Sequence, residues 1–399
     1  MIVLITFIII LILLILFTII TYHVYINSQH IHYLIRIPTS SLDDTNIDIE
    51  KMVSDIMCHG KKWILASVTP KEYKNLQTKN IPIILLQKNL EAYVNRLQTI
   101  EFSYRADDFF SQYHTYQEIV NYLKTLNNYT EMKGKSLEGR AIPVVSFGNI
   151  SAPMAIYIQG NIHAREWITN ASLLVAINKF SKSFPKNVQL YIAPIVNPDG
   201  YEYTRTTRLW RGNRNTKICN KGVDLNRNFN GYNAWKTSTC GEMYSGDKPI
   251  SEIESQIMLD FVNEISKKQK VIGAIDFHSY GQLILWPPGY KDSKPLPSDT
   301  ILKNASDIIR DALKKNHTIT YKSENSKLLY DANGLFADQL YDTLQKSNTN
   351  KSPVVLTIEL PPDRDSRDIG FIMSPTQIQP IGEQVYTIIN TFVDHCLTL

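Results

Sequence analysis

The sequence lacks a strong excess of either charge: 42 Lys and Arg against 38 Asp and Glu leave a formal +4 over 399 residues. A balance this small and this mixed argues against a nucleic-acid footprint or a strongly anionic partner, so partners have to be inferred from the sites. Internal repeats are lacking too, and beyond the amino-terminal run there is no low-complexity tract, which sets repeat and fibrous architectures aside. Cysteines are few. Cys58, Cys219, Cys240 and Cys396 allow three pairings if all are oxidised, and Cys219 and Cys240, which close a short loop, look like the natural pair. What the chain does have is apolar content, 43% of its residues, enough for one large domain with a sizeable core and a smaller one beside it.

Met1 to Ile20 is an unbroken apolar run without a charged side chain, long enough to cross a hydrocarbon core as a helix. It routes the chain into the secretory pathway, either as an uncleaved membrane anchor or as a long signal peptide, with 1–22 as the segment concerned. Six Asn-x-Ser/Thr acceptors, at Asn128, Asn149, Asn170, Asn304, Asn316 and Asn350, fit a lumenal, secreted or extracellular location.

From about Tyr33 to Ile100 strand-like and helix-like segments alternate: Tyr33 to Ile37, Ile49 to Met57, Trp63 to Ser67, Lys71 to Thr78, Ile81 to Leu86 and Leu90 to Leu97. Thr69-Pro70-Lys71-Glu72 has the form of a capping box with proline at the first helical position. This small α+β unit carries no cluster of metal ligands or nucleophiles, which suggests a structural or inhibitory role. The polar stretch 102–108 breaks the periodicity, so the domain boundary is placed there, with 23–105 before it and 106–399 after it. Arg105 would suit a trypsin-like protease, although an ordinary linker arginine reads the same way. Farther on, Glu118 to Leu126 reads as an amphipathic helix. Apolar strand candidates then recur at Ile142 to Phe147, Ala155 to Gln159, Val188 to Val196, Val271 to Phe277 and Val354 to Leu360, with helical stretches Trp167 to Phe180, Glu252 to Ile265 and Ile301 to Lys315. That pattern is α/β, with a mixed, mostly buried central sheet flanked by helices.

The chemistry centres on His163-Ala164-Arg165-Glu166, where a histidine and a glutamate three apart follow a strand and a glycine, at the point where a helix would begin. Both side chains can face one point. Zinc accepts an imidazole nitrogen and a carboxylate oxygen readily, and a catalytic site needs one more protein ligand and an open position. His278, at the carboxyl end of the Val271 strand, supplies that third ligand, because sites in α/β sheets form at this edge. Glu359 lies near the end of the apolar Val354 strand, a costly place for a carboxylate unless it is paired or employed. It is the candidate general base for water activated by the metal, with a salt-bridged structural glutamate as the alternative. Between these lie Arg205 to Arg214 and Gly222 to Phe229. The interleaved arginines could form a phosphate or nucleic-acid patch, yet the small net charge and the embedded Asp224 and Asn226 favour a few aimed cations, able to hold a carboxylate in a two-pronged grip or to steady an oxyanion.

With these motifs together, the chain resembles the zinc metallocarboxypeptidases of the carboxypeptidase A/B family from about Tyr113 to near its end. The resemblance rests on His163-Ala-Arg-Glu166-Trp-Ile-Thr, Asn197-Pro-Asp-Gly200, Arg208-Leu-Trp-Arg211, Val223-Asp-Leu-Asn-Arg-Asn228, Asp276-Phe-His-Ser-Tyr280 and Thr357-Ile-Glu-Leu360. It implies a mostly parallel central sheet, one zinc on His163, Glu166 and His278, Glu359 activating water, and Arg211 polarising the scissile carbonyl. It further implies that Asn226, Arg227 and Tyr330 hold the substrate's terminal carboxylate, that Arg165 and Arg208 line the cleft, that Asp224 orients a zinc-bound histidine, and that Cys219 pairs with Cys240. The segment before Arg105 is similar to the activation segment of the family's zymogens, which shields the cleft until proteolysis. The substrates implied are peptide or protein carboxyl termini.

Aligned from Tyr330, Ala337 takes the position that sets the polarity of the pocket for the terminal side chain, so apolar or aromatic ends are expected; Asp338 stands one residue away. The segment from Thr169 to Asn197 is shorter than usual in the family, and an insertion around Thr343 to Pro353 precedes the Glu359 strand. Cys58 and Cys396 are not expected from the family pattern, and in an oxidising compartment they could pair with each other. Two other functions remain open on the sequence: a catalytically silent binding protein on the same scaffold, and a zinc amidohydrolase acting on small acylated amino acids.

Overall fold

A computed structural model of the chain describes residues 31–42, 47–103, 108–184, 186–347, 352–366 and 369–399. The apolar run Met1 to Ile20, Arg105 and the acceptor Asn350 lie outside the described residues. No helix among the described residues is long and apolar enough to cross a membrane. The described chain falls into two compact units divided between Arg96 and Leu97.

The smaller unit is an antiparallel sheet in the order β2-β3-β1-β4, built from β1 (Tyr33–Pro38), β2 (Asp55–His59), β3 (Trp63–Val68) and β4 (Ile84–Gln87). Ile35, Ile37, Ile64, Ala66 and Val68 form its core with Leu76 of helix α1 (Pro70–Thr78). The capping box forms: Thr69 Oγ1 accepts the Glu72 N–H while the Glu72 carboxylate accepts the Thr69 N–H at 2.6 Å. The stretch expected to run from Ile49 to Met57 is divided into a short 3-10 turn, Ile49–Lys51, and strand β2. Ser54, between the two, donates its N–H to Ser67 and its hydroxyl to Glu72. Strand β4 starts at Ile84 rather than Ile81, because Ile81 donates to Leu76 O at the end of α1 and Pro82 has no N–H to give a ladder. Helix α2 (Leu90–Ser103) continues past the division and is longer than expected.

The larger unit is built on an eight-stranded sheet in the order β11-β10-β12-β9-β7-β8-β6-β5. The strands are β5 (Tyr129–Glu131), β6 (Pro143–Gly148), β7 (Met154–Gly160), β8 (Gln189–Ala193), β9 (Lys270–Ser279), β10 (Leu283–Trp286), β11 (Lys322–Asn325) and β12 (Val354–Leu360). The four central strands, β12, β9, β7 and β8, are parallel, and β10 is parallel to β11; antiparallel pairing joins β10 to β12, β6 to β8 and β5 to β6. The helices are α3 (Tyr116–Lys124), α4 (Trp167–Lys182), α5 (Pro198–Tyr203), α6 (Ile253–Ser266), α7 (Asp299–His317), α8 (Phe336–Ser347) and α9 (Ile378–Thr398). Central strands read as apolar runs because both faces are covered, and Ala155 to Ile158 and Val354 to Leu356 are almost without exposure. Strand β9 runs through His278 to Ser279, held there by pairing of Glu359 with His278 and of Leu360 with Ser279. His278 is therefore inside the strand rather than in a loop after it.

Cys219 and Cys240 are disulfide-bonded. Cys396 is a free thiol, which corrects the pairing expected for it with Cys58. Cys396 is only 4% exposed, because α9 lies close on β9 at Gly273: a Cβ there would come within 2.8 Å of Phe392 Cζ and 2.9 Å of Cys396 Sγ. Among the sequon asparagines, Asn149, Asn304 and Asn316 are exposed, Asn128 is half-buried, and Asn170 is buried in α4.

Candidate metal centre and active site

The first two metal-ligand candidates come from the turn between β7 and α4. Asn161, at a φ of 59°, folds its amide under the turn and donates to His163 O at 3.0 Å and to Glu166 O at 3.3 Å. Glu166 occupies the N-cap position of α4, and Thr169 Oγ1 donates to its carbonyl. The turn is thus fixed by its own sequence, and β9 brings His278 up beside it. One donor atom from each of His163, Glu166 and His278 lies within 4.8 Å of the others. The inward atoms are close: His163 Nδ1 is 2.8 Å from Glu166 Oε1, and His278 Nδ1 is 3.3 Å from Glu166 Oε2 and 3.2 Å from His163 Nδ1. The outward ring nitrogens each meet a carboxylate, His163 Nε2 on Asp224 at 3.1 Å and His278 Nε2 on Asp276 at 2.9 Å.

This arrangement fits zinc on chemical grounds. A buried carboxylate that accepts only, and outward nitrogens given to carboxylates, leave two imidazole lone pairs and an anionic oxygen aimed at one point. Burial alone would raise the Glu166 carboxyl, but the charge and hydrogen bonds of His163 and His278 hold it below the ordinary range. Burial would lower His278, yet Asp276 and then Glu166 raise it well above its usual value, so a metal ion bound there takes the place of a proton on Nδ1. Asp224 is likewise held low against burial by Arg211, His163 and Arg227.

Glu359 stands on β12 directly opposite His278. Its Oε2 is buried without a hydrogen-bond partner, and burial pushes the carboxyl up to about 7, with Glu166 and Asp276 adding to the rise and His278 and Arg211 opposing it. An unpartnered carboxylate oxygen beside a convergent ligand set is unusual in a folded interior. Arg211 is paired with Asp224 through Nε at 2.9 Å and Nη2 at 2.8 Å; burial opposes its charge, while Asp224 and Glu166 raise its affinity for the proton. Asn226 and Arg227 follow Asp224 on a short 3-10 turn. Arg227 Nη2 donates to Tyr330 Oη at 2.9 Å, and Asn226 Oδ1 accepts from Phe336 N at 2.8 Å. The loop bearing Tyr330 lies close on Arg227 because Gly334, at φ +75°, has no side chain: a Cβ there would be 2.1 Å from Arg227 O.

The family model described as zinc carboxypeptidase matches residues 106–388. The chain belongs to the zinc carboxypeptidase family. Carboxypeptidase A2 of Rattus norvegicus is 31% identical over 345 residues, covering 80% of this chain and 78% of the relative. Metallocarboxypeptidase A of Trichophyton rubrum is 29% identical over 402 residues, covering 88% and 90%. In fold, carboxypeptidase A from Helicoverpa armigera superimposes with a TM-score of 0.78 at 22% identity over 92% of this chain and 98% of the other. The protein is therefore a metal-dependent hydrolase of peptides at their carboxyl termini, with one zinc as cofactor.

Within this zinc carboxypeptidase the remaining expected residues are placed as follows. Arg165 is 1% exposed and stacks over Phe371 at 4.3 Å. Arg208 is also buried: it donates to both oxygens of Glu101 at 3.1 and 3.3 Å, to Arg165 O at 2.9 Å and to Phe371 O at 2.6 Å, and lies over Trp167 at 3.8 Å. Its donors face protein groups, not an open cleft. Ala337 is buried in the first turn of α8, and next to it the Asp338 carboxylate takes the Gly289 N–H at 3.1 and 3.0 Å. Sequence reasoning passed over Glu101, whose only signal was an acid in a helix, and Asp276. The latter was legible, since residues two apart on a strand share a face.

Proposed function

We propose that the chain is the precursor of a secreted carboxypeptidase that removes apolar or aromatic residues from peptides, with Glu359 as general base. The observation that carries this reading is the convergence of His163, Glu166 and His278 one strand away from the unpartnered carboxylate of Glu359. Zinc held by those three residues would supply Lewis acidity and bring the pKa of water towards neutrality. Glu359 takes the proton of the attacking water and delivers it to the leaving amine, and a carboxyl raised to about 7 is suited to both transfers. Arg211, braced by Asp224, faces the oxygen on which negative charge develops. Arg227, Asn226 and Tyr330 grip the terminal carboxylate, with Arg227 offering the fork that suits a carboxylate.

Ala337 favours apolar terminal side chains, because a buried ammonium there would lack a counter-charge. Residues up to 105 form the activation segment, released by a trypsin-like protease at Arg105. Glu101 supports this, since its ion pair saturates Arg208 until the segment leaves. The apolar run at the amino terminus directs secretion and is either removed or kept as a tether. Blocked dipeptides ending in Phe, Leu, Lys or Arg, assayed with the purified chain before and after trypsin and alongside zinc analysis, test the whole reading. We expect one zinc per chain, little activity before trypsin, and release of Phe and Leu after it. Zinc without hydrolysis would point to a silent binding protein, and faster release of Lys or Arg would refute the pocket assignment.

A further inference from the structure

His163 has a carboxylate partner that the sequence motif announces, Asp224. His278 has none assigned. On β9, Asp276 and His278 are two apart and share a face; across the sheet Gln159 of β7 pairs in register with Asp276, and Tyr157 stands two residues before Gln159 on that same face. The register therefore builds a row of polar groups in the core, each 2% exposed or less. Tyr157 Oη donates to Gln159 Oε1 at 2.9 Å, Gln159 Nε2 donates to Asp276 Oδ1 at 3.1 Å, and Asp276 Oδ2 is 2.9 Å from His278 Nε2.

The row has a direction. A hydroxyl given to the glutamine carbonyl turns the glutamine amide towards Asp276, and the carboxylate, which can only accept, requires the proton of His278 on Nε2. Nδ1 is then left with its lone pair towards Glu166 and His163. A competing group is present. Asn226 Nδ2 is 3.3 Å from the same Nε2, and because Asn226 Oδ1 is engaged by Phe336 N, it is the amide's donor end that faces the ring. Without Asp276, that donor would favour a bare Nε2 and put the proton on Nδ1, inside the ligand set.

We propose that Asp276, backed by Gln159 and Tyr157, is a positioning residue that selects the metal-binding tautomer of His278 against the pull of Asn226. The role is independent of whether Glu359 is the base, because it concerns metal binding alone. The test uses the full chain and two variants, Asp276→Ala and Asp276→Asn. Zinc affinity is measured by chelator competition and the ligand field by the visible spectrum of the cobalt-substituted protein, with circular dichroism confirming the fold. Both variants are expected to bind zinc about 10–100-fold more weakly, the usual loss when the outer partner of a metal-bound histidine is removed, and to show altered cobalt bands. Asparagine should not rescue, since its single carbonyl oxygen cannot serve both Gln159 and His278. It also keeps the volume, so it carries the test should alanine fail to fold. A folded variant with zinc affinity within about twofold of the parent and an unchanged cobalt spectrum would overturn the proposal.

Discussion

Replacing Asp338 by asparagine should stabilise the protein, and more at pH 8 than at pH 5. The carboxyl is 2% exposed and is raised from 3.8 to about 7, chiefly by burial, with the Gly289 N–H and the charge of Arg227 only partly opposing the rise. A carboxyl whose folded-state affinity for the proton exceeds its unfolded one binds more protons when native, so stability falls as pH rises between the two values. Above about 7 the group is ionised in both states and the penalty is complete, on the order of 4 kcal/mol. At pH 5 the folded group is protonated and the penalty has dropped by about 2–3 kcal/mol. Asparagine cannot ionise, and its carbonyl can still accept from Gly289, at a cost of about 1 kcal/mol for the weaker bond. Urea unfolding of the zinc-saturated parent and variant at both pH values should therefore show a variant more stable at pH 8, with an advantage that shrinks by about 2–3 kcal/mol at pH 5. An advantage that is independent of pH, or that grows towards acid, would show that Asp338 is not held protonated by its surroundings.

Three further outcomes follow from the site and its setting. Glu359→Gln should retain zinc while kcat/KM falls by about 10²–10⁴, the range for loss of a general base; normal turnover in the zinc-loaded variant would move the base elsewhere. Ala337→Asp should turn the preference from Phe and Leu towards Lys and Arg in matched dipeptides, and an unchanged ranking would place the pocket determinant at another residue. Of the sequon asparagines, Asn170 should carry no glycan, because it is 1% exposed within α4; glycopeptide mapping that finds sugar there would contradict its burial.

Much of the site could be read from the chain because its parts sit on elements with strong local signals. The alternating run before Gly160, the apolar strand into His278 and the strand through Glu359 all place their polar residues by period and position. Local start signals were legible too, as in the Thr69 capping box, which forms. What escaped was non-local. Strands β10 and β11 are four residues each, and the register of β10 against β12 and of β11 against β10 is set by partners distant in sequence. Helix α9 went unread although it is long, and the end of α8, from Thr343, fell within the stretch read as an insertion. Arg208 illustrates the same limit: its sequence shows a cation suited to a cleft, but nothing local indicates that Glu101, 107 residues earlier, takes up its donors. The burial of Cys396 was equally hidden, since it depends on how closely Gly273 lets α9 approach β9.

The central claim is that His163, Glu166 and His278 hold one metal ion together. Zinc content by elemental analysis of the parent and of His163→Ala, Glu166→Ala and His278→Ala, each confirmed as folded, tests it most directly. The account predicts one zinc per chain in the parent and its loss from every variant after dialysis against a mild chelator; a variant that keeps a full equivalent of zinc would contradict it.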